Sequence, residues 1–187
     1  MRIVFALLLL GCLIANSSAF ACGTERWPVK VGDDPDAVRA DLKRDVPATI
    51  ADLIAIPVPA SRPEDGRAGQ TEDSLFVIEA TLTSYKLEAD GDYHLVLRDQ
   101  AGHTMIAEIP DPACVGEASP FRDGIRNARA EFDARLHAGD RFRSVNLEVW
   151  VMGVGFFDFD HHQRGVAPNA IELHPVLDIR FADGAGP

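Results

Sequence analysis

The sequence predicts a mainly β protein with one central helix. Three observations predict it. Short runs of alternating apolar and polar residues recur between Gly- and Pro-containing turns. A single long segment carries a strong 3.6-residue apolar period. That segment falls between the third and fourth of the alternating runs.

The first strand candidate runs from Leu75 to Glu88 and is rich in β-branched and aromatic residues. Asp90-Gly91 marks the turn after it. Tyr93, Leu95 and Leu97 then alternate with His94, Val96 and Arg98, a period of two. Ala101-Gly102 turns the chain again, and Met105, Ala107 and Ile109 give a third strand that ends at Pro110 and Pro112. Ser119-Pro120 opens the helix with a capping hydroxyl and a proline suited to the first turn. Phe121, Ile125, Ala128, Phe132 and Leu136 recur along one face, and Ala138-Gly139 closes it. Val145, Leu147, Val149 and Val151 alternate in a fourth strand reaching about Phe157. A polar loop from Asp158 to Asn169 follows. Ile171, Leu173, Leu177 and Ile179 form the fifth strand, where Pro175 breaks the alternation and points to an edge or a bulge. A helix between the third and fourth of five strands is the order of an OB-like barrel. Another small barrel or an α+β sandwich is the alternative.

Residues 22–74 read as a smaller helical and irregular region ahead of the barrel domain, residues 75–187. The segment around Trp27 reads as an extended piece with its ring on the core. Asp34-Pro35 is a helix-start signal, followed by Val38 and Leu42 at helical spacing. Ile50, Leu53 and Ile54 give a second short helical stripe ended by Pro57. Pro59, Pro63, Gly66 and Gly69 mark an extended connection.

Residues 1–21 read as a secretory signal peptide. Arg2 gives a positive start, Ile3 to Ala15 is almost continuously apolar, and Ala19-Phe20-Ala21 is a small-residue cleavage site. The apolar run is shorter than the ~20 residues of a membrane span, so the expectation is an exported protein, periplasmic or extracellular, with no transmembrane segment after cleavage. Cleavage leaves Cys22 first; lipidation there fits poorly, since Ala19 and Phe20 depart from the usual lipoprotein pattern.

With 47% hydrophobic and 25% charged residues the chain can bury a core, which excludes wholesale disorder. The net charge is −11. Generic DNA binding is not expected, because phosphate contacts need a cationic surface. Beyond Cys12 in the leader there are two cysteines, Cys22 and Cys114. An even count in an oxidising compartment points to a disulfide, with two free thiols as the alternative.

Several segments resemble a family of small exported bacterial proteins of unknown function. They are Cys22-Gly-Thr-Glu-Arg-Trp27, Asp92-Tyr-His-Leu-Val-Leu97, Ile109-Pro-Asp-Pro-Ala-Cys114, Gly153-Val-Gly-Phe-Phe-Asp158 and Gly165-Val-Ala-Pro-Asn169, the last leading into Ile171-Glu-Leu-His-Pro-Val176. Relatives tend to carry His-Gly-Gln where this chain has His161-His162-Gln163. The resemblance implies export and the disulfide, and no chemistry.

The densest cluster of chemically capable residues is the last loop and strand. Asp158, Asp160, His161 and His162 lie in the loop, and Glu172 and His174 share one face of the strand. Asp158, Asp160, His161, Glu172 and His174 are the candidate ligands of a divalent metal, since nitrogen and oxygen donors suit zinc. The alternative is a solvated loop and a hydrogen-bonded structural His174. Phe157, Phe159, His161 and His174 are the candidate ligand-binding residues, beside the loop where small barrels bind. His161 or His162, Asn169 and His174 follow a His–Asn–His nuclease order at too short a spacing. Arg122, Arg126 and Arg129 form a stripe along the helix, interleaved with Asp123, Glu131 and Asp133 as on a solvated face. No Gly-x-Ser-x-Gly nucleophile elbow occurs, so no catalytic residue is assigned. The expected function is a non-catalytic binding or interaction module of the bacterial cell envelope. No cofactor is expected, with a divalent metal as the alternative. The alternative is a metal-dependent hydrolase using the Asp158–His161 and Glu172–His174 cluster.

Overall fold

The structure is a computed structural model and describes residues 22–182. The expected leader, residues 1–21, lies outside the described residues. The described chain is mainly β: helices α1 (Trp27–Val31), α2 (Ile50–Ile54) and α3 (Arg122–Asp133) accompany six strands. The strands are β1 (Asp41–Pro47), β2 (Ser74–Leu87), β3 (Tyr93–Arg98), β4 (Thr104–Ile109), β5 (Arg143–Phe157) and β6 (Ile171–Phe181).

Five strands pair in a ring. β2–β3, β3–β4, β6–β5 and β5–β2 are antiparallel, and β4–β6 is parallel. The ring closes because β2 is long enough to serve two neighbours. Its register shifts between Leu82 and Ser84 against both β3 and β5, the irregularity that bends a strand. On β3, Leu95 and Leu97 enter the main core, His94 and Val96 on the other face are covered as well, and Arg98 is exposed. The core draws on every ring strand, with Ile78, Leu82, Leu97, Met105, Val151, Leu173 and Ile179 among its members. Ile50 and Leu53 of α2 close one part of it and Phe132 of α3 another.

Helix α3 buries the face its period predicts: Ile125, Ala128 and Phe132 are fully enclosed. Of its arginines, Arg129 donates to the carbonyls of Ile109 and Gly91 and stacks 3.3 Å over the Tyr93 ring, so the stripe is partly spent on structure. Pro175 sits where register slips between Met152 and Gly153 and again between Gly153 and Gly155. The bulge expected at Pro175 is therefore present. The edge is not, because β6 lies between β4 and β5.

The N-terminal region differs from its sequence reading in two places. Trp27 starts a helix, with Pro28 in the first turn and Gly32 at φ 74° closing it, the left-handed backbone that glycine adopts without strain. The helix expected from Asp34 is only a turn at Ala37–Arg39, followed by β1, which pairs parallel with the start of β2. The physical reason is that Val38 is 83% exposed and contributes no buried stripe. The segment instead satisfies its backbone on β2, at an edge whose side chains face water and show no period. The Ile50–Leu53 stripe does form a helix, with a Thr49–Asp52 capping box.

Cys22 and Cys114 form the expected disulfide, with their Cα atoms 5.6 Å apart. A buried ion pair holds the same region from the other side. Arg26 and Glu72 are both fully buried and meet through two 2.8 Å contacts. Arg26 also donates to the carbonyls of Phe157, Pro63 and Gly66, while Glu72 accepts from the backbone N–H of Phe157 and Ala68. Arg67 pairs with Asp34 at 2.8 Å alongside. Every strong donor and acceptor of the Arg26–Glu72 pair is thus used, the condition under which a buried pair is tolerated.

Candidate functional site

The N-terminal segment is pinned over one side of the ring, and a pocket of about 450 Å³ forms beneath it. Three pieces of chain build the walls: residues 22–30, the turn between β2 and β3 at Glu88–Asp90, and the β5–β6 loop at Asp158, His161 and Gln163. His94 of β3 and Glu108 of β4 form part of the lining from the sheet. They are partners across the ladder, which is why their side chains meet. The loop is held against β3 by Gly165, at φ 92°, where a side chain would stand 2.6 Å from Val96 Cγ1.

The pocket is acidic. Glu25, Glu88, Asp90, Glu108 and Asp158 line it, against the single ammonium of Lys30 and the imidazoles of His94 and His161. Lys30 Nζ lies 2.9 Å from Asp158 Oδ2. Burial alone would pull this ammonium down, but Glu172, Asp158 and Glu108 outweigh it and hold it above the ordinary lysine value. Lys30 therefore sets a positive charge against the acidic walls.

Below the lining is a buried polar layer. His94 donates through Nε2 to the Arg164 carbonyl at 2.9 Å and meets Glu108 Oε1 through Nδ1 at 3.0 Å. His174 Nδ1 lies 3.1 Å from Glu108 Oε2 and 3.3 Å from Glu172 Oε1. Its Nε2 lies 3.5 Å from Asp92 Oδ2, near enough to feel the charge and too far for a well-formed hydrogen bond. Burial opposes charge on His174, yet Asp92, Glu108 and Glu172 together hold its imidazolium well above the usual histidine value. Burial would likewise raise Glu108, but contacts from His174 and His94 hold it well below the usual carboxylate range. Glu172 goes the other way: burial, then the charges of Glu108 and Asp158, push it from 4.5 to about 7.

This last shift makes a prediction. A carboxyl whose folded pKa is raised favours the fold most below its unfolded value near 4.5, and that contribution is lost as pH rises through about 7. Glu172→Gln mimics the protonated acid at every pH. In chelator-treated protein, E172Q will be more stable than the parent at pH 8, by up to about 3 kcal/mol, and equal to it near pH 4. Urea melts across that range check it. A difference independent of pH would contradict the assignment.

The structure distributes the sequence-predicted residues over three environments. Asp158 and His161 come together with Glu25 at the mouth, where His161 Nε2 lies 2.7 Å from Glu25 Oε2. That hydrogen bond raises the His161 pKa. Glu172 and His174 lie on the floor, where both side chains are enclosed and not on a solvent face. Asp160 and His162 are exposed beside each other, apart from both groups. Phe159 stacks under the Arg62 guanidinium at 4.1 Å. Phe157 is a correction to the ligand-binding set: it is 1% exposed and belongs to the main core, because β5 turns it inward and sends Phe156 toward Arg26, Lys30 and His174. Asn169 is occupied in tying the loop to the carbonyls of Leu53 and Ile56.

Sequence reasoning did not single out Glu25, Glu88, Asp92 or Glu108 as site residues. The one signal available was alternation, which puts His94 and Glu108 opposite their strands' core residues. The pairing that joins them is visible only in the ladder. Among the described residues no helix is long and apolar enough to cross a membrane. Comparison with protein-family models and with curated proteins finds no match for this chain.

Proposed function

We propose that this protein is an exported, non-catalytic binding module of the bacterial cell envelope, and that its pocket takes a small positively charged ligand group, an amine or a guanidinium. The observation that carries the reading is the pocket itself: five carboxylates against one lysine, in a concave site of about 450 Å³. Its position supports the same reading. With β2 to β6 taken as an OB-like five-stranded barrel, the walls are the loops joining the first to the second strand and the fourth to the fifth. Those are the loops such barrels bind through. The charge, and not the fold, selects the ligand class. Acidic walls favour a cation and repel a phosphate backbone. Export is supported by the leader pattern, by the resemblance to small exported bacterial proteins, and by a disulfide of the kind that persists in oxidising compartments.

Calorimetric titration with spermidine at low ionic strength tests this. The expected result is saturable binding that weakens with added salt and falls at least tenfold in the Glu25→Gln/Glu88→Gln double variant, with no binding of an oligothymidylate. No saturable binding, or binding indifferent to the two substitutions, would overturn the proposal. So would steady turnover of a cell-wall, lipid or nucleic-acid substrate.

A further inference from the structure

We propose that the buried floor beneath the pocket is a divalent metal site, of the zinc or manganese class, with Asp92, Glu108 and His174 as its protein ligands. This goes beyond the cationic-ligand reading and does not depend on it.

The first observation is convergence. Asp92 precedes β3, Glu108 lies on β4 and His174 on β6, yet each offers one ligand atom and all three atoms lie within 4.8 Å of one another. Three donors from three separate segments, with nitrogen and oxygen but no sulfur, are a set that suits zinc or manganese.

The second observation is independent of the first. Asp92 Oδ2 and His174 Nε2 are buried atoms with no hydrogen-bond partner. Their side chains are 1% and 0% exposed, and the two atoms face each other at 3.5 Å. A buried polar atom without a partner is costly, and here two such atoms face each other across a gap too long for a well-formed hydrogen bond. The spacing has a ready meaning. Two ligand atoms each about 2.0–2.1 Å from a tetrahedral zinc stand roughly 3.3–3.4 Å apart. Asp92 Oδ2 and His174 Nε2 stand at 3.5 Å, slightly wider than that separation.

The surroundings complete the site. The opposite ring nitrogen of His174, Nδ1, faces Glu172 Oε1 at 3.3 Å. A carboxylate accepting from the far nitrogen is what orients a metal-bound imidazole. Glu108 Oε1 is held by His94, and its Oε2 lies 3.1 Å from His174 Nδ1, so ligating an ion at Nε2 requires Oε2 to turn from that contact. Glu108 also lines the open pocket, which supplies an entry path and a side on which a water ligand is accommodated. A +2 ion balances Asp92 and Glu108 with His174 neutral, so the cluster is charge-compensated without solvent.

The test is zinc binding by the untagged mature protein. After stripping with a chelator, the protein is loaded with zinc chloride, washed, and assayed by elemental analysis and by competition with a chromophoric chelator. The expected result is one zinc per chain. Asp92→Asn should lower the affinity at least tenfold while circular dichroism and the disulfide stay unchanged. His161→Ala, at the mouth cluster, should leave zinc content at one. In NMR spectra, zinc should shift His174 Nε2 and leave Nδ1 protonated. Three results would overturn the proposal: no zinc retained by folded protein, equal affinity in D92N, or loss of zinc in H161A. If D92N fails to fold, the His174 nitrogen shifts of the parent protein decide alone. Spermidine binding that survives any of these failures leaves the cationic-ligand reading standing.

Discussion

Replacing Arg26 with Ala will destabilise the protein by about 3–5 kcal/mol, because it strands a buried carboxylate. Glu72 is fully enclosed, and both of its oxygens face the Arg26 guanidinium at 2.8 Å. Without Arg26 it keeps only backbone donors, from Ala68 and Phe157. The carbonyls of Pro63, Gly66 and Phe157 lose a donor as well. Glu72→Ala will do comparable damage by leaving the guanidinium unpaired. A double replacement by apolar side chains of similar volume, Arg26→Met with Glu72→Met, will recover a large part of the loss, since the penalty belongs to the unpaired charge and not to the missing pair. Guanidinium melts of the three variants check this. Single-variant losses below about 1 kcal/mol, as for an exposed ion pair, would show that Glu72 finds another partner. Because the pair ties residue 26 to the end of β5 through the Phe157 carbonyl, spermidine affinity will fall with stability in R26A.

The second large effect is expected at the disulfide. Cys22→Ser/Cys114→Ser opens a loop with a sequence separation of 92 residues. The chain-entropy account assigns roughly 4–5 kcal/mol to a crosslink of that span. The consequence reaches the pocket, because residues 22–30 form one of its walls. The serine variant should therefore melt earlier and bind spermidine more weakly even at temperatures where it is fully folded. Denaturation with and without reductant, followed by titration of the reduced protein, measures both effects. An unchanged midpoint would mean that the unfolded chain is already restricted without the bond.

The ring strands and α3 were legible because each buries a regular apolar series. Leu95 and Leu97 alternate on β3, and Ile125, Ala128 and Phe132 repeat along α3. Period is a strong signal wherever one face is buried. β1 was not legible for the same reason reversed. Its side chains are mostly exposed, it is held by backbone pairing, and Asp34-Pro35 ahead of it suggests a helix start. Trp27-Pro28 carries no local signal that separates an extended piece from a helix start, since proline is ordinary both in extended chain and in a first helical turn.

The site was legible in part. Asp158, His161, Glu172 and His174 belong to the pocket or its floor, but they form two groups and not one. On β6, Ile171 through Ile179 are buried on both faces, so alternation cannot say which side meets water. The cover over the Glu172–His174 face includes the N-terminal segment, through Lys30, more than 140 positions away in sequence. Asp92 and Glu108 carry no local motif and join His174 only through the parallel β4–β6 pairing and the turn ahead of β3.

The central claim is that the acidic pocket is a seat for a cation. The most direct measurement is an NMR titration of the isotopically labelled, disulfide-bonded protein with spermidine, following backbone amides. The account predicts saturable shifts at residues 88–94, 158–163 and 23–30, with little change on the face around Trp150 and Arg180. Shifts concentrated around Trp150 and Arg180 instead, or none at saturating spermidine, would contradict it.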